Sequence, residues 1–348
     1  MTDTSKLGFK ESFFYVLNGT ATGIVVGLIP NAVLGEVFKA FDGRFFEIAY
    51  QVVYSLQFAT AAAIGVLVAV NFGFNTMQAA TVGTACFVGS GAVTFKDGIW
   101  SGGGIGDLIN VMITAGIACW IILKIKDRIG SFNAIGMPIF GGALPAFIGV
   151  LLLPYVSLIS KTIGDIINSF TLLEPMAMSI LISIAFSLII VSPISTAAIG
   201  IAIGLDGLSA GAAAIGVTAC TAILLISSVK VNKIGTTLAI LFGAMKMMLP
   251  NLVRNPIMLV PVVATGAISG VVASLLNIQG IPSSAGFGLV GLVGPIHAFQ
   301  LVQGSFGVAL LHVVIAFIIV PFGVGFIMDY ICRVGLKLYT VDIFKYEE

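Results

Sequence analysis

From Leu172 to Val229 the chain runs through apolar residues with only two charges, Glu174 and Asp206. A membrane-spanning helix takes roughly 20 predominantly apolar residues. This one stretch is therefore long enough for two crossings, and a water-soluble domain is excluded there. The rest of the chain agrees. Of 348 residues, 58% are apolar and 9% are charged, against roughly a quarter charged in an ordinary soluble domain. Mean hydropathy is +1.14. So few charges cannot cover the surface of a soluble fold this size. A cytosolic enzyme, a secreted module and a disordered chain are excluded. A net charge of +1 provides no basic field for nucleic acid.

The expected fold is all-α: a polytopic transmembrane helical bundle of about ten spans (roughly 8–12), with interrupted or re-entrant segments. It forms a single integral membrane domain over residues 1–348. Spans are predicted at about 13–34, 48–70, 106–123 and 134–159, with a short Gly- and Ala-rich segment at 77–93. The stretch 172–229 is broken at Ser192-Pro193 and at Asp206-Gly207. Further spans are predicted at 236–249, 259–276 and 308–328, with a Gly-rich stretch at 280–304. The weakly amphipathic stretch 160–170, with Lys161 and Asp165, is expected to lie along the interface. Positive charge favours the cytoplasm, which puts 124–128, 230–233 and the C-terminus inside, and the N-terminus with Lys6 and Lys10 inside too.

The N-terminal apolar run is too long and too rich in Gly, Asn and Thr for a cleaved signal, and reads as a retained first helix. Cys86, Cys119, Cys220 and Cys332 form no C-x-x-C pair and read as small packing residues. There is no Walker A sequence, no triad arrangement and no ligand-spaced histidine pair. The chain is expected to be no enzyme, with no cofactor and no metal site. Gly286-Phe-Gly288-Leu-Val-Gly291 matches the dinucleotide fingerprint in letters only, because it lies in an apolar run without a βαβ context.

An internal repeat is visible. Ala61-Ala-Ala-Ile-Gly65 recurs as Thr196-Ala-Ala-Ile-Gly200, and Thr84-Ala-Cys86 recurs as Thr218-Ala-Cys220. The offset is 135 residues at the first pair and 134 at the last. The repeat halves run over about 45–130 and 180–265. A fainter echo lies at Ala267-Ile-Ser-Gly270, followed by Asn277 and Gly280. Each copy is an apolar segment, a polar turn and a short small-residue helix. With the first turn inside and the second outside, the repeat is inverted. Paired interrupted segments mark transporter binding sites. The backbone groups they free need protein or a wet cavity to satisfy them.

Candidate site residues are few. Glu174 heads the longest apolar region, beside Pro175. A carboxylate there either faces water at a helix start or points into a polar cavity. His297 sits with Gln300 and Gln303 in the densest uncharged polar cluster of an oily region. It reads as a packing histidine or as a ligand or proton site. Ser192, Ser195 and Thr196 flank Pro193 and could line a broken helix. Asn71, Asp206 and Asn277 are turn residues first and site candidates second. Lys246 lies inside a predicted span, so it must snorkel, find a carboxylate or meet an anionic substrate. Asp107 reads as a helix N-terminal acid.

Leu173-Glu-Pro-Met-Ala-Met-Ser179 resembles the I-T-E-P-x-x-F-S stretch of sugar-phosphotransferase membrane subunits (enzyme IIC). The resemblance implies that Glu174 stands where that family's glutamate hydrogen-bonds sugar hydroxyls from a re-entrant segment. It also implies a sugar-binding histidine, for which His297 is an unaligned counterpart. In its length, its Gly136-Met-Pro-Ile-Phe-Gly-Gly142 region and its Gly/Ala-rich second half, the chain resembles the compact IIC-like family that includes the PfoR toxin-regulator proteins. It departs from the sugar subunits in having Leu173 for the motif threonine, and about 170 residues after Glu174. With no fused IIA or IIB domain expected, separate IIA and IIB proteins would supply phosphate. The resemblance further implies a homodimer in the bacterial cytoplasmic membrane. The expected function is alternating-access transport of a small polar solute, most simply a sugar. A receptor or regulator of the same fold, sensing a ligand without moving it, is the alternative, and a channel the weaker third.

Overall fold

The computed structural model describes residues 8–346 except 97, 103, 127 and 303. Gln303 and Lys6 therefore lie outside the described residues. The chain forms two compact units, Met1–Ile159 and Ser160–Glu348. Among the described residues, seven helical stretches are long and apolar enough to cross a membrane: Phe9–Lys39, Arg44–Asn71, Leu108–Ile125, Asn133–Phe170, Gly207–Ser228, Pro256–Leu275 and Phe306–Gly335. Two shorter apolar helices, Pro175–Ile189 and Val290–Leu301, accompany them. The architecture is an all-α polytopic bundle.

The first unit holds α1 (Phe9–Lys39), α2 (Arg44–Leu56), α3 (Thr60–Asn71), α4 (Thr76–Gly89) and α5 (Leu108–Ile125). A short α6 (Asn133–Gly136) passes through a π-helical turn, Met137–Ala143, into α7 (Leu144–Phe170), whose residues from Ser160 on belong to the second unit. Small residues bring the backbones together. Gly19 and Gly23 of α1 lie against Val68 and Ile64 of α3, and Gly65 of α3 lies against Val82 and Cys86 of α4. Cys86 Sγ reaches Val111 O of α5 at 3.8 Å. Along α1–α3 and α4–α5 the paired residue numbers run in opposite directions, and α3 and α4 touch at residues about equally far from the short turn that joins them, so α1, α3, α4 and α5 alternate in direction. The start of α1, the end of α3, the start of α4 and the end of α5 share one end of the unit.

Asp107 caps α5 by accepting from Asn110 N at 3.0 Å, as its position at a helix start implies. Asn110 Nδ2 ties three elements together, donating to Gly89 O at 2.6 Å and Gly149 O at 2.8 Å. One element was not expected. β1 (Val93–Lys96) pairs antiparallel with β2 (Ile99–Gly102) between α4 and α5. Between the strands, Gly98 has a φ of +79°, a left-handed backbone that glycine adopts readily.

The short segment at 77–93 is α4, 14 residues, which at 1.5 Å per residue is shorter than the roughly 30 Å hydrocarbon core. Two predicted segments differ from those observed. The stretch 160–170 is not a separate interfacial helix but the last three turns of α7. At 236–249 there is no span. The helix α11 (Ile234–Leu241) stops before Gly243, whose φ of +114° only glycine adopts readily.

The second unit continues with α8 (Pro175–Ile189), α9 (Thr196–Ala202) and α10 (Gly207–Ser228). After α11 come a 3-10 turn at Ala244–Met248, α12 (Leu249–Arg254) and α13 (Leu259–Leu275). The chain ends in α14 (Val293–Leu301), α15 (Phe306–Val314) and α16 (Val320–Tyr330), the last two joined through a π turn. At its centre is α10, packed on α8, α13 and α16 and made mostly of Gly, Ala, Ser and Thr. A Cβ on Gly216 would meet the backbone of Ser183, and Ser183 Oγ donates to Gly266 O of α13 at 2.8 Å. Gly216→Ala is accordingly expected to cost about 1–3 kcal/mol, because backbone cannot swing aside as a side chain can. Thermal unfolding in detergent measures it.

Both copies of the repeat are helix, left-handed turn, helix. In the first, Gly73 (φ +70°) precedes Phe74, whose N–H donates to Ala69 O at 3.1 Å. In the second, Gly204 (φ +64°) precedes Leu205, whose N–H donates to Gly200 O at 3.0 Å. The echo has the same turn: Asn277 (φ +48°) precedes Ile278, whose N–H donates to Ala273 O at 2.9 Å. These are Schellman closures, with Gly or Asn at the left-handed position. The turn comes eight residues after Gly65 but four after Gly200, a displacement of about one helical turn. Gly65 meets α4, whereas Gly200 meets Pro282 and Ala285.

Candidate functional site

Three interrupted stretches of the second unit meet around the seven-residue helix α9. The first is 190–195. After α8 ends, Pro193 removes one backbone donor, and the carbonyls of Ser192 and Ile194 turn inward. The Lys246 ammonium takes both, at 2.5 Å and 2.6 Å. Lys246 is buried, so its partners are backbone carbonyls, not a carboxylate, and it does not snorkel. Ser192 closes the break locally, donating to Ile189 O at 2.7 Å and accepting from Ile194 N at 3.2 Å. Ser195 is the N-cap of α9, accepting from Ala198 N at 3.2 Å.

The second stretch is the turn 203–206, and the third the Gly-rich run 276–292. They are joined by a pair of backbone bonds: Gly207 N to Gly280 O at 3.0 Å, and Gly280 N to Gly207 O at 2.9 Å. Thr196 is buried and donates to Gly286 O at 2.8 Å. A Cβ on Gly286 would collide with the backbone of Thr196 and Ala197. The glycines of the fingerprint-like run thus serve close packing and left-handed turns (Gly288 φ +55°, Gly291 φ +59°). Every backbone group named here finds a partner inside the protein, as a break within a bilayer requires.

The sequence candidates distribute as follows. Ser192, Ser195, Thr196 and Lys246 come together around the start of α9. Asp206 and Asn277 are exposed on the two turns whose neighbours Gly207 and Gly280 pair. The carbonyl of Asp206 accepts from Ser209 Oγ at 2.8 Å. Glu174 stands at the N-cap of α8, exposed and without a side-chain capping bond. His297 is half-buried and Gln300 exposed on α14, which packs on α10 and α15. Asn71 belongs to the first unit. It donates from Nδ2 to Tyr15 O at 3.1 Å, fastening α3 to α1.

A second polar cluster gathers at the end of α16, with little signal in the sequence. Asp329, at the end of α16, is 1% exposed. It accepts from Lys230 Nζ at 2.5 Å, Arg333 Nε at 3.3 Å, Tyr339 Oη at 3.3 Å and Ser227 Oγ at 3.4 Å. Burial, with the Asp329 carboxylate beside it, pushes the Tyr339 hydroxyl well up, so it remains a donor. Asn232 and Asn251 clasp the segment beyond: Asn232 Nδ2 donates to Phe344 O at 2.8 Å, and Asn251 Nδ2 to Ile343 O at 2.9 Å and Lys345 O at 2.8 Å. The i,i+4 pair Asp329–Arg333 was the available signal.

Compared with known proteins, the chain matches a family model described as "Phosphotransferase system, EIIC" over residues 14–346. No curated protein and no solved structure matches it.

Proposed function

We infer the function from one premise: the chain belongs to the phosphotransferase system EIIC family. It is a membrane sugar-transport component, the permease of its system. It is not itself catalytic, and phosphate is supplied by IIA and IIB proteins.

Within that frame the solute is an uncharged, hydroxyl-rich sugar, bound at the interrupted segments of the second unit and released by alternating access. The observation that carries this reading is the convergence of three helix breaks on α9 within one unit. Glu174 and His297 exchange hydrogen bonds with the sugar, joined by Gln300, Asp206 and Asn277 from exposed turn and helix positions. Asn71 belongs to the corresponding turn of the first half of an inverted repeat (about 45–130 and 180–265). Ser192, Ser195, Thr196 and Lys246 are positioning residues, since their polar atoms are already engaged in shaping the break. An anionic substrate gains little support, because the one buried lysine there has two carbonyl partners.

The N-terminus is cytoplasmic in this reading. Lys10, Lys124, Lys126 and Arg128 belong to the shared end of α1 and α5, and positive charge marks the inner face. The C-terminus is placed there by the same rule, and the setting is the bacterial inner membrane, with a PfoR-like homodimer as the assembly. The family assignment favours permease over receptor.

The test is binding of a panel of radiolabelled sugars to the purified protein, followed by uptake with IIA and IIB present. Glu174→Gln removes a charge-assisted acceptor worth about 1.5 kcal/mol, so the identified sugar should bind about ten-fold more weakly. Wild-type affinity in that variant would remove Glu174 from the site.

A further inference from the structure

The first unit carries an apolar groove whose lining includes none of the residues proposed to bind sugar. It has a volume of about 740 Å³, within the roughly 300–1,000 Å³ of small-molecule sites. Its walls are the first turns of α1, with Phe9, Phe13 and Val16, and a stripe along α5 that includes Gly116, Trp120 and Leu123. The lining is almost wholly apolar. Phe9 is 89% and Trp120 62% exposed, so the groove opens outward. A Cβ built on Gly116 meets nothing within 4 Å: the helix is notched where a chain could lie.

The end of the unit onto which the groove opens is cationic, although among the described residues no charged one lines the groove itself. Phe9 and Leu123 both line it, and Lys10 and Lys124 directly follow them in sequence. Lys10, Lys124 and Arg128 are exposed. The antiparallel run of α1, α3, α4 and α5 brings the start of α1 and the end of α5 to the same end of the unit. Glu11, also exposed, is the described acid beside them and offsets part of this charge. An apolar trough with an aromatic wall and a cationic mouth matches a molecule with an acyl body and an anionic head.

We propose that the α1–α5 groove is a binding site for an anionic phospholipid, with an acyl chain lying along α5 past Gly116 and the phosphate headgroup held by Lys10 and Lys124. The occupant is a lipid of the bilayer rather than a free phosphate compound, because nearly all of the lining is hydrocarbon-compatible. A zwitterionic lipid fills the same trough but gains nothing from the mouth.

The chain has two tryptophans, Trp100 and Trp120. Trp100→Phe therefore leaves Trp120, in the groove wall, as the only indole reporter. The experiment titrates the full-length Trp100→Phe protein, in mixed micelles, with dibrominated phosphatidylglycerol or dibrominated phosphatidylcholine and follows quenching of Trp120. A cation at an anionic lipid surface is worth roughly five-fold in affinity. With two cations and Glu11 in opposition, phosphatidylglycerol should quench at about ten-fold lower mole fraction than phosphatidylcholine. Lys10→Gln with Lys124→Gln should erase that preference and leave quenching by phosphatidylcholine unchanged. Gly116→Leu, which projects into open space, should weaken quenching by both lipids while leaving the melting temperature intact. Equal quenching by the two lipids in the parent protein would overturn the proposal. So would a groove that neither lipid reaches, as when a second copy of the chain covers it, or a Gly116→Leu variant that quenches as the parent does.

Discussion

Replacing Asp329 with alanine is expected to destabilise the second unit by about 3 kcal/mol and to release the segment 339–346. The carboxylate is buried and serves four donors at once. Truncating one partner of a sealed ion pair typically costs about 3–5 kcal/mol, because the other charge is stranded. Here the side chains of Lys230 and Arg333 are 29% and 30% exposed. Both cations can turn to water, which places the cost at the lower end of that range. Tyr339 and Ser227 have no such exit and lose their acceptor inside the protein. Asp329→Asn keeps the volume and one acceptor oxygen, and is expected to fall between wild type and alanine. Thermal unfolding in detergent and limited carboxypeptidase digestion read the two effects. An alanine variant that melts with wild type and keeps its C-terminal segment protected would show the cluster to be energetically idle.

The second large effect is local rather than global. In Lys246→Met the carbonyls of Ser192 and Ile194 lose their donor, at about 1–3 kcal/mol each. The same substitution removes a buried ammonium, whose desolvation alone costs several kcal/mol. The two terms oppose, so the melting temperature should move little. The segment 190–196 receives only the first of them. Its amides are expected to exchange roughly 100-fold faster, while those of α10 stay protected. Hydrogen exchange with peptide-level mass spectrometry resolves the two regions. Lys246→Arg should not restore protection, since a planar guanidinium does not fit where a compact ammonium meets two carbonyls. Wild-type protection over 190–196 in Lys246→Met would mean that Pro193 and the local Ser192 bonds hold the break unaided.

Much of this architecture is legible in the residues because a bilayer permits few solutions. The long apolar runs yield spans, and the Gly- and Asn-containing turns at Gly73, Gly204 and Asn277 fall where helices stop. Lys246 is recognisable as a charge needing a partner, but the partner is backbone, and carbonyls carry no letter in a sequence. Asp329 is opaque for a related reason. At the end of a span it reads as an acid facing water with Arg333 as an i,i+4 neighbour, while Lys230, the cation that bonds it at the shortest distance, lies 99 residues away. The missing span at 236–249 turns on one residue, Gly243, whose left-handed backbone hydropathy does not register. Of the site, the breaks themselves can be read ahead of the structure. The backbone pairing of Gly207 with Gly280 cannot, since glycine leaves no side-chain pattern to match.

The burial of α10 also bears on how the protein is made. In its most apolar 18-residue window, 89% of the residues are inside the protein, so this helix owes its place to neighbours rather than to lipid. One of them, α13, ends 47 residues later in the chain (228 to 275). At a synthesis rate of roughly 5–20 residues per second, α10 leaves the ribosome about 2–10 s before that partner is complete. Of its main packing partners α8, α13 and α16, only α8 is already made in that interval. Biogenesis of the second half is thus ordered in time: α8 shelters α10 first, and the close-packed trio forms only when α13 arrives.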